Sequence, residues 1–286
     1  MAMDVSRPDS SQPGFSQPDF ARSPRGGSRS SWRVARSVWF AMFMRETISR
    51  TMADRMGWFW MIFEPLAIIG VMVSVRGLFM SGRHIAGADY VAWMVVGLMG
   101  FMLFRENMMR SIGAIEANRG LFAYRQVKPV DPVLVRCFLE GMLKSLIFIL
   151  FITIGSLLKF ELMPDYPFGA MMDWMSLWAL GWGTGLTLSV LADLVPEIGK
   201  VARILNLPLL LLSGVIFPVL YVPHQYREYL LMNPIVHGLE SMRMNFFSGY
   251  HTIDGIDMTY LWFWALALIS LGLILHTRFR DQLKAH

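Results

Sequence analysis

A catalytic chain would show a paired acid and base, a nucleophile with its base, a metal cluster or a phosphate loop, each legible as residue types at a fixed spacing. His84 and Asp89 have the His-x4-Asp spacing of some acyltransferases. They share a short loop between apolar stretches, away from any visible lipid donor site, so a plain loop is the expectation. His251-Thr-Ile-Asp254 is no stronger. The single cysteine, Cys137, excludes an internal disulfide and a Cys-based zinc site. An ATPase needs a glycine-rich loop ending in Lys-Ser or Lys-Thr. The Gly-Lys pair here, Gly199–Lys200, runs into Val201 and lacks a second glycine at the required offset. The chain is therefore expected not to hydrolyse ATP by itself, and no catalytic residue and no metal site is assigned.

Charges inside apolar stretches are costly, so they are functional candidates by default. Glu64 precedes Pro65, Arg76 lies further along the same stretch, and Arg105, Glu106 and Arg110 cluster near the end of the next. An internal hydrogen bond at a proline kink accounts for Glu64, and snorkelling to the membrane surface accounts for Arg105 and Arg110. Both readings leave a polar pathway open. Trp58, Phe59, Trp60 and Phe63 open the first apolar stretch. An interfacial aromatic belt explains them, and so does a surface on which sugar rings stack.

These residues need a frame, and the composition sets its class. Of 286 residues, 55% are hydrophobic and 16% charged, with a mean hydropathy of +0.44. A soluble domain is nearer a quarter charged. The abundant Met, Trp and Phe are read as packing and lipid-facing residues. A lipid-crossing helix needs roughly 20 mainly apolar residues, and about six stretches meet that: Gly57–Met80, Tyr90–Gly113, Val133–Leu158, Met171–Leu194, Val201–Val222 and Met258–Thr277. The expected fold is an all-α membrane bundle. In the third stretch Arg136, Glu140 and Lys144 fall at a spacing of four, so they are expected to share a face and pair along it. Residues 32–55 read as a helix lying in the headgroup plane, with Trp32, Ala35, Trp39, Met42 and Phe43 at helical spacing and arginines mostly elsewhere. Residues 1–31, rich in Ser, Pro, Gly and Arg, read as a disordered basic cytoplasmic tail. They lack the apolar core of a secretory signal.

Orientation follows the basic residues. The N-terminal segment, the loop carrying Arg110, Arg119, Arg125 and Lys128, the loop with Lys200 and Arg203, and the C-terminus with Arg278, Arg280 and Lys284 are basic. The opposite loops balance Arg83, Lys159, Arg227 and Arg243 with Asp89, Glu161, Asp165, Glu228, Glu240, Asp254 and Asp257. Both termini are expected to be cytoplasmic. Between the last two stretches, residues 223–257 are too apolar for a solvated loop and too interrupted to span twice. Short re-entrant helices from the outer side satisfy both constraints.

Several runs carry a resemblance to a known family: Gly57-Trp-Phe-Trp60 leading to Glu64-Pro65; the run from Ser111 to Asn118 continuing through Phe122 and Tyr124 to Asp131; Pro196 to Val201; and Phe217-Pro218 through Tyr226 and Asn233-Pro234 to His237, Glu240 and Arg243. The chain resembles the membrane subunit of ABC-2 type exporters, in particular the capsular polysaccharide export permease of Gram-negative bacteria. That resemblance implies an inner-membrane homodimer paired with a separate ABC ATPase subunit, which holds the ATP and magnesium, so this chain needs no cofactor. It implies a glycolipid-anchored acidic polysaccharide as cargo, passed on to a periplasmic adaptor and an outer-membrane exporter, with membrane lipids as neighbours and no nucleic acid. An acidic glycan needs cations and flat faces along its path, which points to Trp58, Trp60, Phe63, Arg76, Arg83, Arg105 and Arg110. The loop residues Glu116, Arg119, Phe122, Tyr124, Arg125 and Lys128 mix charge with apolar groups and are the expected ATPase contact. The re-entrant segment, with Pro218, Tyr226, Asn233 and His237, is expected to cap the outer end. Another cargo (O-antigen, teichoic acid or a drug), a membrane-embedded transferase and a passive channel are the alternatives.

Overall fold

The computed structural model describes residues 31–51, 56–79, 85, 87–124 and 126–285; the side chains of Ser31, Trp32, Val34, Ala35, Thr51, Trp58, residues 76–79 and Ala285 fall outside it. Residues 1–30, Arg83, His84 and Arg125 lie outside the described residues. The described chain folds as helices with no strand: α1 (Ser31–Thr51), α2 (Gly57–Phe79), α3 (Tyr90–Ile112), a 3-10 helix (Glu116–Ala123), α4 (Val130–Leu157), α5 (Pro167–Leu194), α6 (Pro196–Leu212), a short 3-10 turn (Val219–Tyr221), α7 (His224–Leu231), α8 (Pro234–Phe246), α9 (Met258–Arg278) and α10 (Gln282–Ala285). Among the described residues 4 helices, α3, α4, α5 and α9, are long and apolar enough to cross a membrane. In α2 the apolar part runs from Phe59 to Val75.

Local chemistry sets many of the helix starts. Asp89 accepts the Val91 amide at 3.1 Å, Asn233 that of Ile235 at 3.1 Å, and Asp257 that of Thr259 at 2.7 Å. Each satisfies an amide that the first turn leaves free. Asp89 is thus occupied as a helix cap. Pro167, Pro196 and Pro234 open their helices, where the missing N–H costs nothing.

The fifth expected stretch differs most. Apolar sequence continues to Val222, yet α6 ends at Leu212. Gly214 has φ +68°, a left-handed conformation that ends the helix, and a Cβ there would lie 2.7 Å from Val219 Cγ2. The chain then turns back through the 3-10 turn and α7 into α8.

Helix α5 is the hub, touching α3, α4, α6, α8 and α9. Small residues let it approach its neighbours. A Cβ on Gly185 would lie 2.6 Å from Ser111 Oγ of α3, and one on Gly183 would lie 2.9 Å from the Ala265 carbonyl of α9. Such contacts drive association where lipid removes the hydrophobic force between helices. We expect Gly183→Leu to separate α5 from α9, seen as lost accumulation of intact protein in membranes at unchanged synthesis. Normal accumulation would refute the close approach.

Candidate functional site

Charged side chains from α1, α2, α3 and α4 converge near one end of the bundle. Arg105 Nη2 donates to Glu64 Oε1 at 2.6 Å and to Glu106 Oε1 at 2.6 Å. Arg110 Nε stands 3.5 Å from Glu106 Oε2 and 3.6 Å from Glu140 Oε1. Arg50 Nε stands 3.1 Å from Glu140 Oε1, and Arg136 Nε donates to Glu46 Oε1 at 2.6 Å. Arg136 and Glu140 therefore take their ion-pair partners from α1 and α3 rather than from each other along their shared face. Glu64 answers to Arg105 on α3 rather than to its own helix. Trp39 Nε1 also donates to Asp131 Oδ1 at 3.1 Å. The ties Trp39–Asp131, Glu46–Arg136 and Arg50–Glu140 advance together along both helices, so α1 lies alongside the first half of α4.

Beside Glu64, the rings of Phe59, Trp60 and Phe63 form an exposed patch. Phe59 and Phe63 stack at 4.9 Å, and Trp60 meets Phe63 edge-on at 5.6 Å. The structure thus brings Trp60, Phe63, Arg105 and Arg110 to one region of α2 and α3. The side chains of Trp58 and Arg76, and all of Arg83, lie outside the described residues.

At the same end the loop between α3 and α4 folds as the 3-10 helix Glu116–Ala123. Phe122 points inward and joins a buried cluster with Met42, Ile115, Val133 and Val190. Tyr124 is 67% exposed, and Glu116 and Lys128 are exposed as well. Arg119 Nη2 donates to Asp193 Oδ1 of α5 at 3.1 Å, and Arg45 of α1 donates to Asn118. Of the expected contact residues, then, Glu116, Tyr124 and Lys128 face outward and Phe122 holds the segment to the bundle.

The opposite end is organised by α8, which packs between α3, α5 and α9. Its Glu240 and Arg243 are both 0% exposed and pair at 2.7 Å. Arg243 Nη1 also donates to the Gly214 carbonyl at 2.7 Å and Nη2 to that of Val215 at 3.2 Å. The guanidinium lies 3.5 Å over the Trp93 ring. Glu240 Oε2 accepts from Tyr250 at 2.9 Å and from Thr252 at 2.5 Å. Gly97 makes room: a Cβ there would sit 2.0 Å from Arg243 Nη2. Asp173 of α5 accepts from Ser241 at 3.0 Å and Asn245 at 2.7 Å. The Ser248 amide donates to Asp165 at 2.7 Å and holds that carboxyl below its usual range. Asp173 lies inside an expected apolar stretch, and the rule for intramembrane charge singles it out; Asp193 satisfies the same rule.

Three of the expected outer-end residues meet near α8. His237 Nε2 is 2.7 Å from the Leu231 carbonyl and its Nδ1 accepts the Asp257 amide at 2.9 Å. Asn233 Nδ2 donates to Ser213 Oγ at 3.1 Å, and Pro218 opens the turn before Val219. Tyr226 is exposed and stands apart. Among the described residues no group of 3 or more His, Cys, Asp and Glu is placed to hold a metal.

Comparison with known proteins gives the family. Residues 37–247 match the ABC-2 type transporter family. The chain belongs to that family. Within it, the chain is 34% identical over 255 residues to the polysialic acid transport protein KpsM of Escherichia coli, covering 89% of this chain and 98% of that protein. It is 29% identical over 246 residues to the capsule polysaccharide export inner-membrane protein CtrC of Neisseria meningitidis serogroup B, covering 86% and 92%. It is 29% identical over 239 residues to the capsule polysaccharide export inner-membrane protein BexB of Haemophilus influenzae, covering 84% and 89%. The match to the ABC-2 family ends at Phe247, so it takes in both the charge cluster and α8.

Proposed function

We propose that this chain is the permease subunit of an ATP-driven exporter that moves lipid-anchored acidic capsular polysaccharide across the inner membrane. The observation that carries the reading is the near full-length similarity to relatives named for capsule polysaccharide export. The chain acts as a homodimer with a dimeric ABC ATPase, and an adaptor and an outer-membrane exporter take over the cargo. About six helices span the bilayer, with α2 and α6 added to the longer ones. Both termini and the 3-10 helix Glu116–Ala123 face the cytoplasm. At 28 residues α4 is longer than the bilayer core is thick, about 42 Å against about 30 Å. Its first turns, with α1 alongside, sit at the cytoplasmic interface. Helices α7 and α8 form the re-entrant cap at the periplasmic end. Trp60 and Phe63 offer faces for sugar rings, and the neighbouring arginines offer charge along the path. Glu116, Tyr124 and Lys128 receive the ATPase.

Reconstituted alone, the chain should show no ATP turnover, while its ABC ATPase partner, expressed with it, should copurify and hydrolyse ATP. Substantial turnover by the pure chain would overturn the assignment. The topology has its own test, in a Cys137→Ala background. A cysteine in place of Asp165 should react with an impermeant thiol reagent added from the periplasm, and one in place of Gly120 should not. The reverse pattern would sink the orientation.

A further inference from the structure

The pair Arg119–Asp193 is half made. One contact, Arg119 Nη2 to Asp193 Oδ1, closes at 3.1 Å. Arg119 Nε and Asp193 Oδ2 are both buried, and neither has a hydrogen-bond partner. Arginine and a carboxylate ordinarily meet through parallel bonds, and the second bond adds both energy and fixed geometry. A buried donor and a buried acceptor left open, on two side chains already joined by one bond, cost free energy until they find partners. The side chain of Asp193 is 3% exposed, on the last turn of the hub helix α5. Arg119 lies on the 3-10 helix, whose neighbouring Asn118 is tied to Arg45 of α1. Closure of Arg119 Nε onto Asp193 Oδ2 would complete the fork.

We propose that Asp193 is a positioning residue that couples the cytoplasmic segment to the bundle. The one-bond pair is one state, the two-bond pair is the other, and movement of the docked ATPase selects between them. This rests on the reading above that the 3-10 helix receives the ATPase. Coupling needs contacts that differ between two states, and here the differing contact is Arg119 Nε–H to Asp193 Oδ2. Because α5 touches α3, α8 and α9, a pull on its last turn reaches the outer end of the bundle. The pair is internal to the permease, so losing it leaves the outward-facing Glu116, Tyr124 and Lys128 unchanged.

The test uses the full permease–ATPase assembly in cells and in membranes prepared from them. Asp193→Asn keeps the shape but removes the charge that holds the fork. We expect unchanged copurification of the ATPase, ATP turnover within about two-fold of the parent, and export, read as surface glycan at equal permease level, reduced about five-fold or more. Arg119→Asp combined with Asp193→Arg should recover part of the lost export relative to Arg119→Asp alone. A purely structural role predicts parallel loss of permease level, turnover and export, and that result would overturn the proposal. So would unchanged export in Asp193→Asn. Absence of ATPase copurification with the parent chain would instead refute the docking reading on which this rests.

Discussion

Arg243→Ala is expected to leave almost no folded permease in the membrane. The guanidinium and its partner Glu240 are both fully buried. Removing the cation strands the Glu240 carboxylate and leaves the carbonyls of Gly214 and Val215 without their donor. It also removes the charge that lies over the Trp93 ring. Breaking a buried pair from one side costs about 3–5 kcal/mol, against a typical total of about 5–15 kcal/mol. Glu240→Gln should do less harm, because its one oxygen still accepts from Arg243 while the Tyr250 and Thr252 hydroxyls can turn to accept from its amide nitrogen, and a single charge is unbalanced. The measurement is membrane-inserted, protease-resistant permease at equal synthesis. Equal accumulation of Arg243→Ala and the parent would show that this knot of bonds around the Glu240–Arg243 pair does not hold its end of the bundle together.

Phe122→Ala and Tyr124→Ala should both abolish export, for different reasons. Phe122 is 7% exposed within the buried cluster it shares with Met42, Ile115, Val133 and Val190. Its truncation opens a cavity worth about 3–5 kcal/mol in a well-packed core, so the variant should lose protein level or protease resistance. Tyr124 is exposed and touches little of its own chain, so Tyr124→Ala should insert and accumulate normally and fail to retain the ATPase. Tyr124→Phe, which keeps the ring, should retain it. Copurification and surface glycan, both scaled to permease level, separate these outcomes. Normal ATPase retention by Tyr124→Ala would place the docking surface elsewhere.

Much of the helical frame was legible because lipid imposes one requirement on every crossing segment, a long apolar run. The expected start of α3 at Tyr90 and of α9 at Met258 coincide with the structure, where an aspartate cap sits beside an apolar run. The end of α6 was not legible. Hydropathy is continuous from Leu209 to Val222, and the break depends on the Gly214 conformation and on an arginine 29 residues further on. Charge pairing failed for a related reason. Local spacing suggests Arg136, Glu140 and Lys144 as mutual partners, whereas Arg136 meets Glu46 across 90 positions. The hub role of α5 left a trace in Gly181, Gly183 and Gly185, a small-residue stripe whose meaning depends on which helices it faces. For the site, residue types were legible and directions were not: Phe122 and Tyr124 look alike in sequence and point opposite ways.

The knot around Arg243 also sets an order of assembly. Its ligands come from Gly214 and Val215 ahead of α8 and from Tyr250 and Thr252 behind it. During synthesis the chain must therefore extend beyond Thr252 before the Glu240–Arg243 pair has a full set of partners. Until then, placing α8 within the bundle would bring partly solvated charge into an apolar surrounding. Seating of α8 is thus expected to be a late event in biogenesis. A nascent chain stopped before Tyr250 should hold its earlier helices in the bilayer with α8 still open to proteases, and release of a longer chain should close it.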